Sequence, residues 1–301
     1  MLVSLKLLPL QSHIMTTYNP KDWFILIFKF HKSDTFRILL PILFSIGIYS
    51  AVIVFLETHF FYLNIKNPTI MHAILGFVLS MLLVFRTNTA YDRWWEGRKI
   101  WGSFVNNSRN LSLKLSAILT NQKDKQEFKH LIINYIYSAK NHLRGKYIQE
   151  EITPIDTINL SEFTDAGHKP NLIAKSLYLK IHNLHQNKII GNEYLYILNE
   201  ELKSFTDNCG ACERIKNTPI PNSYNIFLKK MIFLYCMSLP IFFASEFGYT
   251  TVPITIIILY VFASIELFAE EIEDPFGEDE NDLPLDDICG KIKTNLNDIL
   301  N

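Results

Sequence analysis

The sequence predicts an all-α, multi-pass membrane protein with four transmembrane helices and a large helical cytoplasmic region. Three observations carry this. Four long uncharged runs come as two closely linked pairs. The stretch between the pairs has helical rather than alternating periodicity. The mean hydropathy of +0.11 is high for a soluble chain and low for one buried wholly in lipid.

The N-terminal segment, 1–35, has two readings. Met1 to Leu10 is apolar except for Lys6 and resembles a weak signal sequence, without a basic start or a small-residue cleavage site. Alternatively the chain starts at Met15. The first apolar run, Ile38 to Leu56, is uncharged and meets the requirement of about 20 mostly apolar residues for a span. The second, Asn67 to Phe85, also qualifies, with His72 its sole titratable group. Met231 to Ser245 and Tyr249 to Ile265 are uncharged but short. Glu246-Phe247-Gly248 between them reads as a tight turn joining two antiparallel spans. Lys229 and Lys230 can extend the third span by snorkelling. A single short run is equally well a helix of a soluble core; four in linked pairs favour a membrane.

Lys and Arg set the orientation. Lys21, Lys29, Lys32 and Arg37 precede the first run, and Arg86, Arg93, Arg98, Lys99, Arg109 and Lys114 follow the second. Lys66, against Glu57, is the basic residue of the first short loop, and the second short loop has none. Both termini and the long middle are therefore expected in the cytoplasm, in a cell inner (plasma) membrane. The resulting layout is transmembrane helices 1 and 2 over 36–85, a cytoplasmic helical region over 86–225, helices 3 and 4 over 226–268, and an acidic cytoplasmic tail over 269–301.

Within the middle, Phe128, Leu131, Ile132, Tyr135 and Ala139 recur at helical spacing, so Lys125 to Leu143 is an amphipathic helix. Leu172 to His185 and Glu193 to Phe205 read as two more. Glu150 to Pro170, with Thr, Asp, Gly and two prolines, reads as a loop. Asn217-Thr218-Pro219-Ile220-Pro221 must break a helix before the chain re-enters the membrane. From Phe85 onward no proline or paired glycine stands before Gly97, so the second span is expected to run straight into the middle region.

The net charge of −1 argues against a nucleic-acid binder, which needs a basic surface to release counterions. Cys209, Cys212, Cys236 and Cys289 form no disulfide framework, and Cys209-Gly210-Ala211-Cys212 lacks the second pair that zinc would need. His182 and His185, at i and i+3, could share a metal, though such a pair is more commonly plain surface. Trp94 and Trp95 suit interfacial anchors. Arg93 and Arg98 either attract anions or, more plainly, pair with Asp92 and Glu96. With no phosphate loop, nucleophile elbow or kinase motif, the chain does not read as an enzyme and requires no cofactor.

Two features remain. Phe77, Met81 and Phe85 lie at i, i+4 and i+8 and stack on one helix face. They are either ordinary packing or, with several copies round an axis, apolar rings that block ions until they widen. Between Glu270 and Asp287 there are ten carboxylates in eighteen residues around Pro275-Phe276-Gly277. This is either a solvated tail or a turn that chelates a hard cation such as Ca²⁺, without EF-hand spacing.

The segments Phe85-Arg86-Thr87-Asn88-Thr89-Ala90-Tyr91-Asp92-Arg93-Trp94-Trp95-Glu96-Gly97-Arg98 and Asp274-Pro275-Phe276-Gly277-Glu278-Asp279, with Gly210-Ala211-Cys212-Glu213-Arg214-Ile215 through Pro221, resemble the bestrophin family of membrane ion channels, in its bacterial branch. The resemblance implies a helical homopentamer in the lipid membrane, with a central pore for small inorganic ions. Anions, chiefly chloride, are the family's usual cargo, while some bacterial members are similar to cation (sodium) channels. A non-conducting membrane scaffold or sensor is the rival of another class. Counting back from Arg93-Trp94-Trp95 maps the family's neck gate onto Phe85, Met81 and Phe77. Methionine replaces the usual Ile or Phe in the middle, which softens the constriction. A second, cytosolic constriction on a later helix maps onto Ile189, or else Ile190. In animal members a calcium clasp follows the last span. Position by position it maps onto Asp274, Asp279 and Asp282, with Glu271 nearby. Asp274 stands for the usual asparagine, Asn281 interrupts the acidic run, and bacterial members do not dependably use calcium.

Overall fold

A computed structural model describes residues 34–60, 68–154 and 160–301. The alternatives at Met1 and Met15, Lys21, Lys29 and Lys32, and Lys66 of the first short loop lie outside these residues. The described residues are helical, without strands. They divide into two units, with boundaries at 94/95, 218/219 and 274/275.

The apolar unit holds α1 (Asp34–His59), the first half of α2 (Pro68–Ile118), α7 (Asn222–Phe247) and α8 (Thr251–Glu273). Among the described residues, three helical stretches are long and apolar enough to cross a membrane: Thr35–His59, Thr69–Ile118 and Asn222–Glu273. The last is interrupted by the short 3-10 turn Gly248–Thr250 between α7 and α8. Gly248 takes φ 53° there, a left-handed conformation that glycine adopts without steric cost. Leu39, Leu43, Ile46, Leu79, Leu83, Leu228, Ile232, Cys236 and Leu259 form the core. Two tyrosine hydroxyls packed against it are paired: Tyr49 Oη donates to the Met237 carbonyl at 3.0 Å, and Tyr224 Oη donates to the Leu82 carbonyl at 2.9 Å. Most remaining apolar side chains of these helices point outward, as lipid-facing helices require.

The polar unit holds the rest of α2, then α3 (Gln122–Leu143), α4 (Leu160–Asp165), α5 (Lys169–Gln186), α6 (Asn192–Asn217) and α9 (Leu285–Ile299). Asn121 caps α3, accepting the Lys123 N–H at 3.0 Å. Trp101, Phe104, Tyr135 and Phe205 pack at tilted and edge-to-face angles in its core, with Tyr135 Oη donating to the Phe205 carbonyl at 2.9 Å. The apolar face of α9, Leu285, Ile288, Cys289, Ile292 and Leu296, is buried, and α9 packs on α3.

Several expectations shift. The segment 150–170 is not all loop: it carries the 3-10 turn Gln149–Glu151 and the short α4. The helix begun at Asn192 runs to Asn217, well past Phe205, so Cys209 and Cys212 sit inside α6 as buried free thiols. The break at 218–221 stands where the prolines demand it. α2 is unbroken for 51 residues and passes through Gly97 and Gly102.

Candidate pore-lining helix and acidic turn

Within the apolar unit α2 has two unlike faces. His72, Leu79, Leu83, Arg86 and Ala90 are buried. Phe77, Met81 and Phe85 are 66%, 44% and 59% exposed, at least about 100° round the helix from that row. Ile70 and Ile74 continue the uncovered stripe toward the helix start. Among the described residues of its own chain nothing covers these large apolar groups, which suits contact with lipid or with further copies.

Arg86, one residue beyond Phe85, turns the opposite way. Its guanidinium is fully buried and donates to Glu273 Oε2 at 2.6 Å. The other carboxylate oxygen accepts the Ile220 backbone N–H at 2.6 Å, and Arg93 Nε donates to the Glu273 carbonyl at 3.0 Å. One residue at the end of α8 thus fixes two turns of α2 and the start of the chain entering α7. Trp94 packs with Ala90, Ala269 and Ile272 beside this knot. Sequence reasoning missed Glu273, because it stands 187 residues from Arg86 and no spacing pattern joins them. Local pairing did not account for Glu96 either: it pairs with Arg214 at 2.6 Å.

In the polar unit, Ile189 is 51% exposed and Ile190 is 3% exposed. Both lie in the turn between α5 and α6 rather than on a helix, and the Ile189 N–H donates to the Leu184 carbonyl at 2.9 Å. Burial of Ile190 leaves Ile189 as the one of the two free to line a passage.

Glu271 and Asp274 belong to the apolar unit, Asp279 and Asp282 to the polar unit. The acidic turn of the polar unit is built rather than loose. Phe276 is buried, the Leu283 N–H donates to the Pro275 carbonyl at 3.0 Å, and Asp282 Oδ2 accepts the Asp279 N–H at 2.7 Å. Glycine at 97 gives the turn room, since a Cβ there would come within 3.1 Å of Phe276. The chain's own cations occupy four of the acceptors in and beside it. Arg144 Nε donates to the Phe276 and Gly277 carbonyls at 3.4 and 3.2 Å, and its Nη1 pairs with Asp286 at 2.8 Å. Lys146 pairs with Glu278, and buried Lys140 joins Asp286 at 2.7 Å and Glu151 at 2.5 Å. Burial opposes ionisation of Asp286, but hydrogen bonds from Lys140 and Arg144 outweigh it and hold the carboxyl below its ordinary range. The hydrogen bond from Lys146 does the same for Glu278. Arginine and lysine thus answer Asp286, Glu278 and the Phe276 and Gly277 carbonyls, which are not the carboxylates Asp274, Asp279, Asp282 and Glu271 onto which the calcium clasp maps.

His182 and His185 do not meet at a shared ligand point: His185 bonds Asn192 Oδ1 at 2.8 Å, and His182 faces Gln186.

Comparison with known proteins agrees with this architecture. A family profile described as bacterial/fungal bestrophin protein matches residues 14–298. A voltage-dependent anion channel-forming protein of Nostoc sp. is 35% identical over 291 residues, 94% of this chain and 93% of that one. A voltage-dependent anion channel-forming protein of Escherichia coli K12 is 32% identical, over 92% of this chain and 91% of its own. The crystal structure of a bacterial bestrophin homologue from Klebsiella pneumoniae superposes with a TM-score of 0.81 at 26% identity, covering 87% of this chain and 98% of that one.

Proposed function

This chain belongs to the bacterial and fungal bestrophin family of membrane proteins, and from that premise we propose that it is an anion channel, conducting chloride or other small monovalent anions. The carrying observation is the uncovered stripe Phe77, Met81 and Phe85 on a helix whose other face is buried and pinned at Arg86. Facing a shared axis, the stripe forms three stacked apolar rings that shed water and close the path until they widen. Four helices of one chain do not enclose such a path, so the channel is a ring of identical chains, a homopentamer. α1, the first half of α2, α7 and α8 are its four spans. The segments 86–225 and 269–301 face the cytoplasm, as do the N-terminal 1–35, in the inner membrane. The exposed Ile189 narrows the cytosolic end. Relatives named as anion channel-forming proteins over nearly the same length support a channel rather than an enzyme.

Bound calcium is not part of this reading. Arg144, Lys140 and Lys146 supply the positive charge within the acidic turn, so opening does not wait for a metal there.

The test is ion flux through purified protein in liposomes. Phe85→Ala and Met81→Ala are each expected to raise chloride flux about tenfold, since one ring less leaves a wider, more easily wetted neck. Reversal potentials under a NaCl gradient should sit toward the chloride potential. A potential at the sodium side replaces the anion reading with a cation channel of the same build; no flux from any variant leaves a non-conducting scaffold.

A further inference from the structure

The geometry points to a transition-metal site for one Zn²⁺-class ion at His142, His168 and Glu213, in the polar unit. His142 is in the last turn of α3, His168 is the N-cap of α5, and Glu213 lies near the C-terminal end of α6. α5 packs against both other helices, which brings together residues 26 and 45 positions apart. His142 Nε2 stands 2.7 Å and His168 Nε2 2.6 Å from the same oxygen, Glu213 Oε1. The two imidazole rings are 4.4 Å apart, and the three ligand atoms all lie within 4.8 Å of one another. Among the described residues this is where three such side chains converge.

Two imidazoles and a carboxylate are a recognised zinc set that leaves one coordination position for water. The three side chains are about one-third exposed, so an ion can enter. A cavity of about 240 Å³ reaches His142 and offers room for the water. Tetrahedral zinc with bonds near 2.0–2.1 Å spaces its ligands by roughly 3.3 Å, so the trio spreads by about 0.7 Å on binding. The neighbouring ammonium groups are turned elsewhere: Lys146 is on Glu278, and Lys169 donates to the Ala166 carbonyl at 3.2 Å. The thiols of Cys209 and Cys212, on the same helix as Glu213, stay out of the ligand set. Both are buried, and burial with the nearby Glu213 charge pushes Cys209 up to about 12.

The ligands carry a proton cost that gives the site a signature. His168 Nδ1 accepts the Asn171 backbone N–H at 3.1 Å, so without metal the ring proton sits on Nε2 and points at Glu213. Zinc takes the Nε2 lone pair, and the proton moves to Nδ1. The Asn171 N–H then loses its acceptor, and the first turn of α5 loosens. The cap is worth far less than a zinc site delivers, so the exchange is favourable.

The full-length protein in detergent, stripped with chelator, is titrated with Zn²⁺ by calorimetry and examined by zinc X-ray absorption. One ion per chain, with two imidazoles and oxygen in its shell, is expected. His168→Asn keeps a good helix cap but removes the ligand, and His142→Gln keeps a polar side chain of similar reach. Each should weaken binding on the order of 100-fold, at least as much as losing an outer-shell partner. Zinc should also speed amide exchange at Asn171 in the unmodified chain. Absent binding, a shell lacking the imidazole pair, affinity unchanged in both variants, or unaltered exchange at Asn171 would each overturn the site. No arm of the test depends on conduction, so its failure leaves the channel reading standing.

Discussion

Among the described residues each unit of this chain buries one basic side chain completely, and the two are satisfied in opposite ways. In the polar unit Lys140 lies between Glu151 and Asp286, over the ring of Tyr137, and both carboxylates take further bonds from Asn141 and Arg144. In the apolar unit Arg86 donates to one carboxylate, Glu273, with Glu266 near enough to feel its charge, and its Nε and Nη1 make no hydrogen bond among the described residues. Where water reaches the partners, charge is shared over a network and no one member is decisive. Where apolar surroundings exclude water, one hydrogen-bonded carboxylate bears most of the compensation, and both α2 and the entry to α7 hang on it.

That contrast is most exposed by removing the carboxylate. Glu273→Ala leaves a buried guanidinium unpaired and the Ile220 N–H without its acceptor, and should cost about 3–5 kcal/mol, read as a lower thermal midpoint and loss of the assembled form in detergent. Arg86→Met with Glu273→Leu should recover much of the loss, since replacing both members of a buried pair removes the desolvated charge. A double variant no better than the single would mean that Glu273 matters for some other reason. Lys140→Met should cost less, about 1–3 kcal/mol, because the carboxylates left behind are 22% and 44% exposed and can turn to water. Equal losses at Lys140 and Glu273 would erase the distinction between the units.

What the sequence made legible follows the range of the interactions involved. The apolar runs, the helical period of α3 and the proline break at 218–221 are local and were readable as such. The stripe Phe77, Met81 and Phe85 was visible as spacing, but its exposure depended on which other residues of α2 became buried. Glu273 was hidden among ten carboxylates, and nothing nearby in the chain distinguishes it from Glu271 or Asp274. The same holds for Arg144, whose role in the acidic turn rests on contacts more than 130 residues away. The acidic run suggested a cation site from its composition and its turn, while the lysines and arginine that pair with Asp286 and Glu278 come from α3 and the residues just after it. The pair His182 and His185 was adjacent on one helix and drew notice; His142 and His168 come from different helices and did not.

The mildest change expected is with pH, and it falls on the polar unit. Asp286 and Glu278 are held below their ordinary values, 3.8 and 4.5 for the free groups, by Lys140 and Arg144 and by Lys146. A carboxylate whose folded value is depressed adds stability that is present above the free value and lost as pH falls through the folded one. The attachment of α9 and the acidic turn to α3 should therefore be constant near neutrality and weaken below about pH 4. Proteolysis of the C-terminal segment, followed from pH 7 to pH 3, should show α9 released before the spans unfold. Lys140, Arg144, Glu151 and Glu278 all face Asp286, so Asp286→Asn should flatten most of this dependence and leave a shallow remnant from Glu278. A release that begins well above pH 5 would have to come from another group, and it would show that the network round Lys140 is less shared than its geometry implies.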